Sequence, residues 1–236
     1  MCGIVGFKSD ENVDIKTMIE SLHHRGPDDT GVYKNGKFSL AHSRLSIIDT
    51  SPLGHQPMSD DKELISLVFN GEIYNFKDLR SDLESKGYKF KGNSDTEVIV
   101  YLYIEYGVYC FSLLRGMFAI GIYDTRNDKI ILARDRMGKK PLYWFRNGND
   151  FVFASELKAL KKHPRWLNNI SKFSLKLYLR HDYVPTPYTI YENVFKLEPA
   201  SYLIFDGQSV DIRQYWDISR KEESNNINEL KNNFEI

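Results

Sequence analysis

MCGIVGF, residues 1–7, opens the chain, and the rest is read outward from it. Residues 3–7 are a short apolar run carrying β-branched Ile4 and Val5, which reads as a strand, and a cysteine stands immediately before it. Similar runs bounded by turn residues follow at 31–33, 38–41, 64–69, 117–123, 129–133, 142–145, 151–154 and 201–205. The pair Asn35-Gly36 sits between two of them and suits the positive φ angles of a tight hairpin, and Asn127-Asp128 and Gly148-Asn149 read as further turns. Helical spacing appears over 75–85, where Phe76, Leu79 and Leu83 share a face, and over 95–106, where Val98, Leu102 and Tyr106 do. Shorter helices are expected at 156–162 and 172–179. Strands outnumber helices without alternating with them, so the fold class is α+β with antiparallel neighbours rather than a parallel doubly wound sheet.

With 236 residues, 42% of them hydrophobic and 14% aromatic, the chain can bury one core of ordinary domain size. Its 32 Lys and Arg balance 32 Asp and Glu, so no summed field draws it to nucleic acid or to an anionic membrane. No apolar run approaches the roughly 20 residues that span a bilayer, and the expected location is cytoplasmic. The two cysteines, Cys2 and Cys110, are too few for a secreted disulfide framework, and Cys110, between Tyr109 and Phe111, reads as a small buried hydrophobe. The stretch 181–199, with Pro185, Pro187 and Pro199 among aromatics, reads as an extended, packed connection. After Trp216 the composition turns charged and Asn-rich, yet Ile227, Leu230 and Phe234 recur at helical spacing. Residues 217–236 are therefore expected to be a linker and the start of a further domain, and residues 1–216 one domain with its connection.

The chain carries no phosphate-cradling glycine loop, no dinucleotide fingerprint, no H-E-x-x-H helix and no C-x-x-C pair. Its six histidines lack metal-ligand spacing, so no metal is expected. The chemistry left to consider is at the N-terminus. If Met1 is removed, the thiol and the free α-amine of Cys2 occupy one residue, with reference pKa values near ~8.5 and ~7.7 to 8.0, so the amine can take the thiol proton without a distant histidine. Cys2 alone does not separate that reading from an inert thiol.

Its context does. MCGIVGF is followed by HRGPD at 24–28, RLSIID at 44–49, NGEIYN at 70–75 and SDTE at 94–97, and in order and spacing the set resembles class II glutamine amidotransferases. Within that group the chain is most similar to the N-terminal half of glutamine-hydrolysing asparagine synthetases. It also carries GMFAIGIYD at 116–124, ARDRMGKKPLYW at 133–144, FASELKAL at 153–160 and YVPTPYTIYENVFKLEPA at 183–200.

The resemblance implies a site whose parts suit a zwitterionic substrate with a neutral side-chain amide. Cys2 is the implied nucleophile. Asn70 and Gly71 are the implied oxyanion hole, where losing one donor typically costs roughly 3 to 4 kcal/mol of barrier. Arg44 is the implied partner of the glutamine α-carboxylate, with Leu45, Ser46, Ile47 and Ile48 beside it, and a planar guanidinium suits that task. Asp95 is the implied partner of the α-ammonium, and Glu72 is expected to line the same pocket. Gly71 lacks a Cβ and so lets the backbone approach a ligand; Asn70-Gly71 also reads as a plain turn ending the strand at 69. The HRGPD segment, with Arg25 and Gly26, resembles a mobile loop near the pocket and equally fits an ordinary turn. Arg134, Asp135 and Arg136 read as a structural or solvated cluster. Tyr183 and Tyr191 lie in a segment without Lys or Arg and are expected to pack.

The implied fold is that of N-terminal-nucleophile hydrolases, a four-layer αββα sandwich of two antiparallel sheets. The implied reaction hydrolyses glutamine to glutamate and ammonia through a Cys2 thioester, supplying ammonia for ATP-dependent synthesis of asparagine or another amide; the alternatives are the glutaminase domain of another amidotransferase with a different acceptor and a catalytically silent glutamine-binding module. No cofactor is expected in this chain; ATP and Mg belong to a synthetase domain beyond it, on the same chain or a separate one. The resemblance leaves room for a homodimer.

Overall fold

The computed structural model describes residues 1–218; the stripe at Ile227, Leu230 and Phe234 lies outside the described residues. One six-stranded sheet contains β1 (Gly3–Lys8), β2 (Asp29–Asn35), β3 (Phe38–Arg44), β8 (Tyr143–Asn147), β9 (Asp150–Ala154) and β10 (Val194–Lys196), in the order β10-β8-β9-β1-β3-β2. The other contains β4 (Met58–Ser59), β5 (Ile65–Ile73), β6 (Gly116–Asp124), β7 (Lys129–Arg134), β11 (Ser201–Phe205) and β12 (Val210–Gln214), in the order β12-β11-β7-β6-β5-β4. Neighbours in both are antiparallel.

Alternation along the strands sorts the apolar residues into three layers of core. Between the sheets lie Ile4, Leu40, Val68, Leu132, Phe151 and Phe153. The outer face of the first sheet, with Val5, Ala41 and Val152, is covered by α1 (Ile15–Glu20) and α5 (Leu157–Leu160) through Ile15, Met18, Ile19, Ala159 and Leu160. The outer face of the second, with Ile65, Leu67, Phe69 and Ile120, is covered by α2 (Phe76–Ser85), α3 (Asp95–Tyr106) and α4 (Cys110–Leu113). This is the αββα sandwich. A further helix, α6 (Lys172–His181), follows, capped by Ser171, whose hydroxyl accepts from the Ser174 N–H.

Gly36 and Gly148, with Asp128, have positive φ at the expected hairpin turns. The reading of Asn70-Gly71 as a turn fails, because β5 runs on to Ile73 in unbroken register with β6. The 181–199 connection packs only in part: Tyr191 meets Trp166 edge-on, while Tyr183 is exposed. Cys110 is fully buried. Arg134 and Asp135 are structural, though not as an ion pair. Arg134 donates to the carbonyls of Gly138, Lys140 and Leu197, and Asp135 accepts from the N–H groups of Phe118, Met137, Lys139 and Lys140.

Candidate active site

Strand periodicity builds the site. Cys2 lies two residues before Ile4, Arg44 four after Leu40, and Asn70 two after Val68, so all three share the face that looks into the gap between the sheets. At this end of the gap the apolar side chains give way to polar ones, and a cleft opens, about 590 Å³ with its mouth included. Cys2, Arg44, Leu45, Ile47, Ile48, Asn70, Gly71, Glu72 and Asp95 line it, with Met1 at its edge. Of the residues expected there, Ser46 alone is not a lining residue. Its N–H turns away to donate to Asp28 at 2.8 Å.

The Cys2 sulfur accepts from the Leu45 N–H at 3.4 Å and donates to the Leu45 carbonyl at 3.6 Å. Burial pushes this thiol up from its ordinary value, against a smaller pull downward from Leu45, the N-terminal ammonium, Arg44 and Lys140. Asn70 is 1% exposed, and neither its Oδ1 nor its Nδ2 has a partner among the described residues. An unpaired buried amide is costly, so this one calls for a partner from outside the chain, a water or a ligand. Asp95 opens α3, next to the Ser94 cap, and its Oδ2 accepts from the Ile73 N–H at 3.0 Å. Burial outweighs those hydrogen bonds and pushes its carboxyl up to about 6. Arg44 holds the following loop by donating to the carbonyls of Asp49 and Ser51, and it lines the cleft.

Gly71 has a second cause beside the one read in the sequence. A Cβ there would lie 2.1 Å from the Met117 carbonyl of β6, so strand packing by itself already demands the glycine. The HRGPD segment is pinned rather than loose. Residues His23–Arg25 form a 3-10 turn, and a Cβ on Gly26 would lie 2.3 Å from the Ser43 carbonyl. Arg25 donates to the Cys2 carbonyl at 2.9 Å and pairs with Glu156 at 2.8 Å, which fixes the backbone beneath the thiol. Sequence reading left Arg25 undecided and passed over Lys140, Gln56, Thr96 and Met117, all of which but Arg25 line the cleft. Lys140 appeared only inside the ARDRMGKKPLYW stretch, with no role given to it. Among the described residues no group of His, Cys, Asp and Glu could hold a metal ion, and no helix is long and apolar enough to cross a membrane.

The fold is the αββα sandwich of N-terminal-nucleophile hydrolases. The glutamine phosphoribosylpyrophosphate amidotransferase of B. subtilis, solved with ADP and GMP, has it too, with a TM-score of 0.68 at 20% identity over 91% of this chain and 49% of that one. That likeness shows the fold alone. The family described as glutamine amidotransferase domain matches residues 1–216, and the chain belongs to it. It is 40% identical to a putative glutamine-hydrolysing asparagine synthetase 2 of Methanocaldococcus jannaschii, over 92% of this chain and 46% of the relative. It is 32% identical to the glutamine-hydrolysing asparagine synthetase 3 of Bacillus subtilis, over 97% of this chain and 39% of that protein. The chain thus spans less than half the length of these relatives.

Proposed function

We propose that this chain is the glutaminase part of an asparagine synthetase or a closely related amide synthetase, with residues 1–216 as the catalytic domain. The observation that carries the reading is the Asn70 amide, buried and unpaired in a cleft that it shares with the only thiol there. Loss of Met1 frees the Cys2 α-amine, which takes the thiol proton. The sulfur attacks the side-chain amide of glutamine, and the developing oxyanion meets the Asn70 Nδ2 and the Gly71 N–H. The C–N bond breaks, ammonia leaves with the proton returned by the α-ammonium, and a γ-glutamyl thioester remains. Water then adds to that carbon, the C–S bond breaks, and glutamate and the free thiol result.

Arg44 meets the α-carboxylate, and Asp95 meets the α-ammonium, a cation that would offset the cost of ionising a buried acid. Ammonia passes to a synthetase domain or chain that uses ATP and Mg, and the setting is the cytoplasm. A homodimer is compatible with this reading. Replacing Cys2 by Ala is expected to abolish glutamate release from glutamine while leaving the circular dichroism spectrum unchanged. Retained turnover in the Ala variant sinks the reading.

A further inference from the structure

Lys140 lines the same cleft as Cys2, Arg44, Asn70 and Asp95, and it is 5% exposed. Lysine is seldom buried this far without a partner, because its ammonium gives up its hydration. Its backbone is held on both sides: the N–H donates to Asp135 Oδ2 at 2.9 Å, and the carbonyl accepts from Arg134 Nε at 2.8 Å. Asp135 spends both oxygens on backbone N–H groups. Among the described residues the Lys140 ammonium has no ion pair.

The two arginines nearest Cys2 are engaged. Arg25 is held by the Cys2 carbonyl and Glu156, and Arg44 by the carbonyls of Asp49 and Ser51. Lys140 thus brings to the cleft an amino group that burial pulls down from its ordinary value and that has no salt-bridge partner among the described residues. The group in that cleft that gains most from a nearby cation is a buried thiol that has to ionise. Each acts on the other: Lys140 pulls the thiol down against burial, and Cys2, with Asp135 and Glu72, pushes the Lys140 ammonium up against burial and Arg25.

We propose that Lys140 is a positioning residue whose ammonium stabilises the Cys2 thiolate, acting through the nucleophile rather than on the substrate. The proposal rests on Cys2 being the nucleophile. The other charged or titratable groups bordering the cleft, or touching the Cys2 backbone, are the N-terminal ammonium, Arg25, Arg44 on β3, Asp49 in the following loop, Glu72 on β5 and Asp95 on α3.

The test is the pH dependence of Cys2 alkylation by iodoacetamide, read on the Cys2 peptide so that Cys110 does not contribute, in the full chain and in its Lys140→Met and Lys140→Arg variants. Removing a cation raises a thiol pKa, so the midpoint for the Met variant is expected to move to higher pH by roughly half a unit to one unit, with the Arg variant restoring it. Lys140→Gln serves as a second neutral variant should the Met protein fail to fold. A midpoint unmoved by loss of the charge overturns the proposal, and a changed KM for glutamine beside it would make Lys140 a substrate contact. So does an Arg variant displaced as far as the neutral ones. No glutamine is present in the alkylation assay, so failure of the glutaminase reading would show separately, as a wild-type chain that releases no glutamate.

Discussion

Asp95 shows how a single side chain can carry a cost that makes sense only with a ligand. Its carboxyl, pushed up by burial to about 6 from an ordinary 3.8, binds a proton more tightly in the folded chain than in the unfolded one. Its contribution to stability is therefore full below about pH 4 and is lost as the pH rises through about 6. At neutral pH the ionised group costs on the order of 3 kcal/mol. Asp95→Asn is accordingly expected to be more stable than the wild type to urea at pH 7.5, with the advantage gone below about pH 4. In a Cys2→Ala background, glutamine affinity measured by calorimetry is expected to fall as the pH drops through about 6, and to lose that dependence in the Asn variant. An Asn variant no more stable at pH 7.5 would mean that Asp95 is already compensated in the free protein. None of this was visible at the level of the motif: SDTE marked the residue, but its burial and the Ile73 hydrogen bond follow from where α3 begins.

At the scale of elements, β5 is the strand on which the site depends. Ile65, Leu67, Phe69 and Ile73 face α3, while Val68 and Asn70 face the other sheet, so continuation past residue 69 is what places the amide in the cleft. Gly71→Ala would put a methyl 2.1 Å from the Met117 carbonyl, a backbone atom that cannot swing aside. Overpacking typically costs ~1 to 3 kcal/mol, and here the upper end is expected, about 3 kcal/mol by urea unfolding, together with loss of turnover. Stability within 0.5 kcal/mol of wild type would show that β5 and β6 can part at this point, an amount at the edge of what a surface substitution does, about 0.5 kcal/mol.

The long apolar strands were legible because alternation and β-branching survive any context. The asparagine-glycine pair also read as a turn because its local chemistry is a turn's, and only pairing with β6 overrides that second reading. Three strands went unread for want of pattern. Met58–Ser59 is two residues long, Val194–Lys196 three, and Val210–Gln214 is a mostly exposed edge of polar residues. The helix Ile15–Glu20 is six residues long, too short to show a period, and went unread.

At the scale of the whole molecule, the two sheets bring together residues drawn from the first to the sixth strand in sequence and from the turn beyond the seventh. Most of the cleft could be named from the motifs because each lies at the end of a strand or the start of a helix. Lys140 and Arg25 could not, since their roles depend on which backbone they are fastened to. The proposed chemistry requires that Cys2 become the first residue. The measurement that tests it most directly is an intact-mass spectrum of the purified chain before and after the glutamine-like electrophile 6-diazo-5-oxo-norleucine, with the labelled residue located by peptide mapping. A chain without Met1 that takes up one adduct, on Cys2, is the expected result. A chain that keeps Met1 and stays unlabelled, or one labelled elsewhere, would contradict the account.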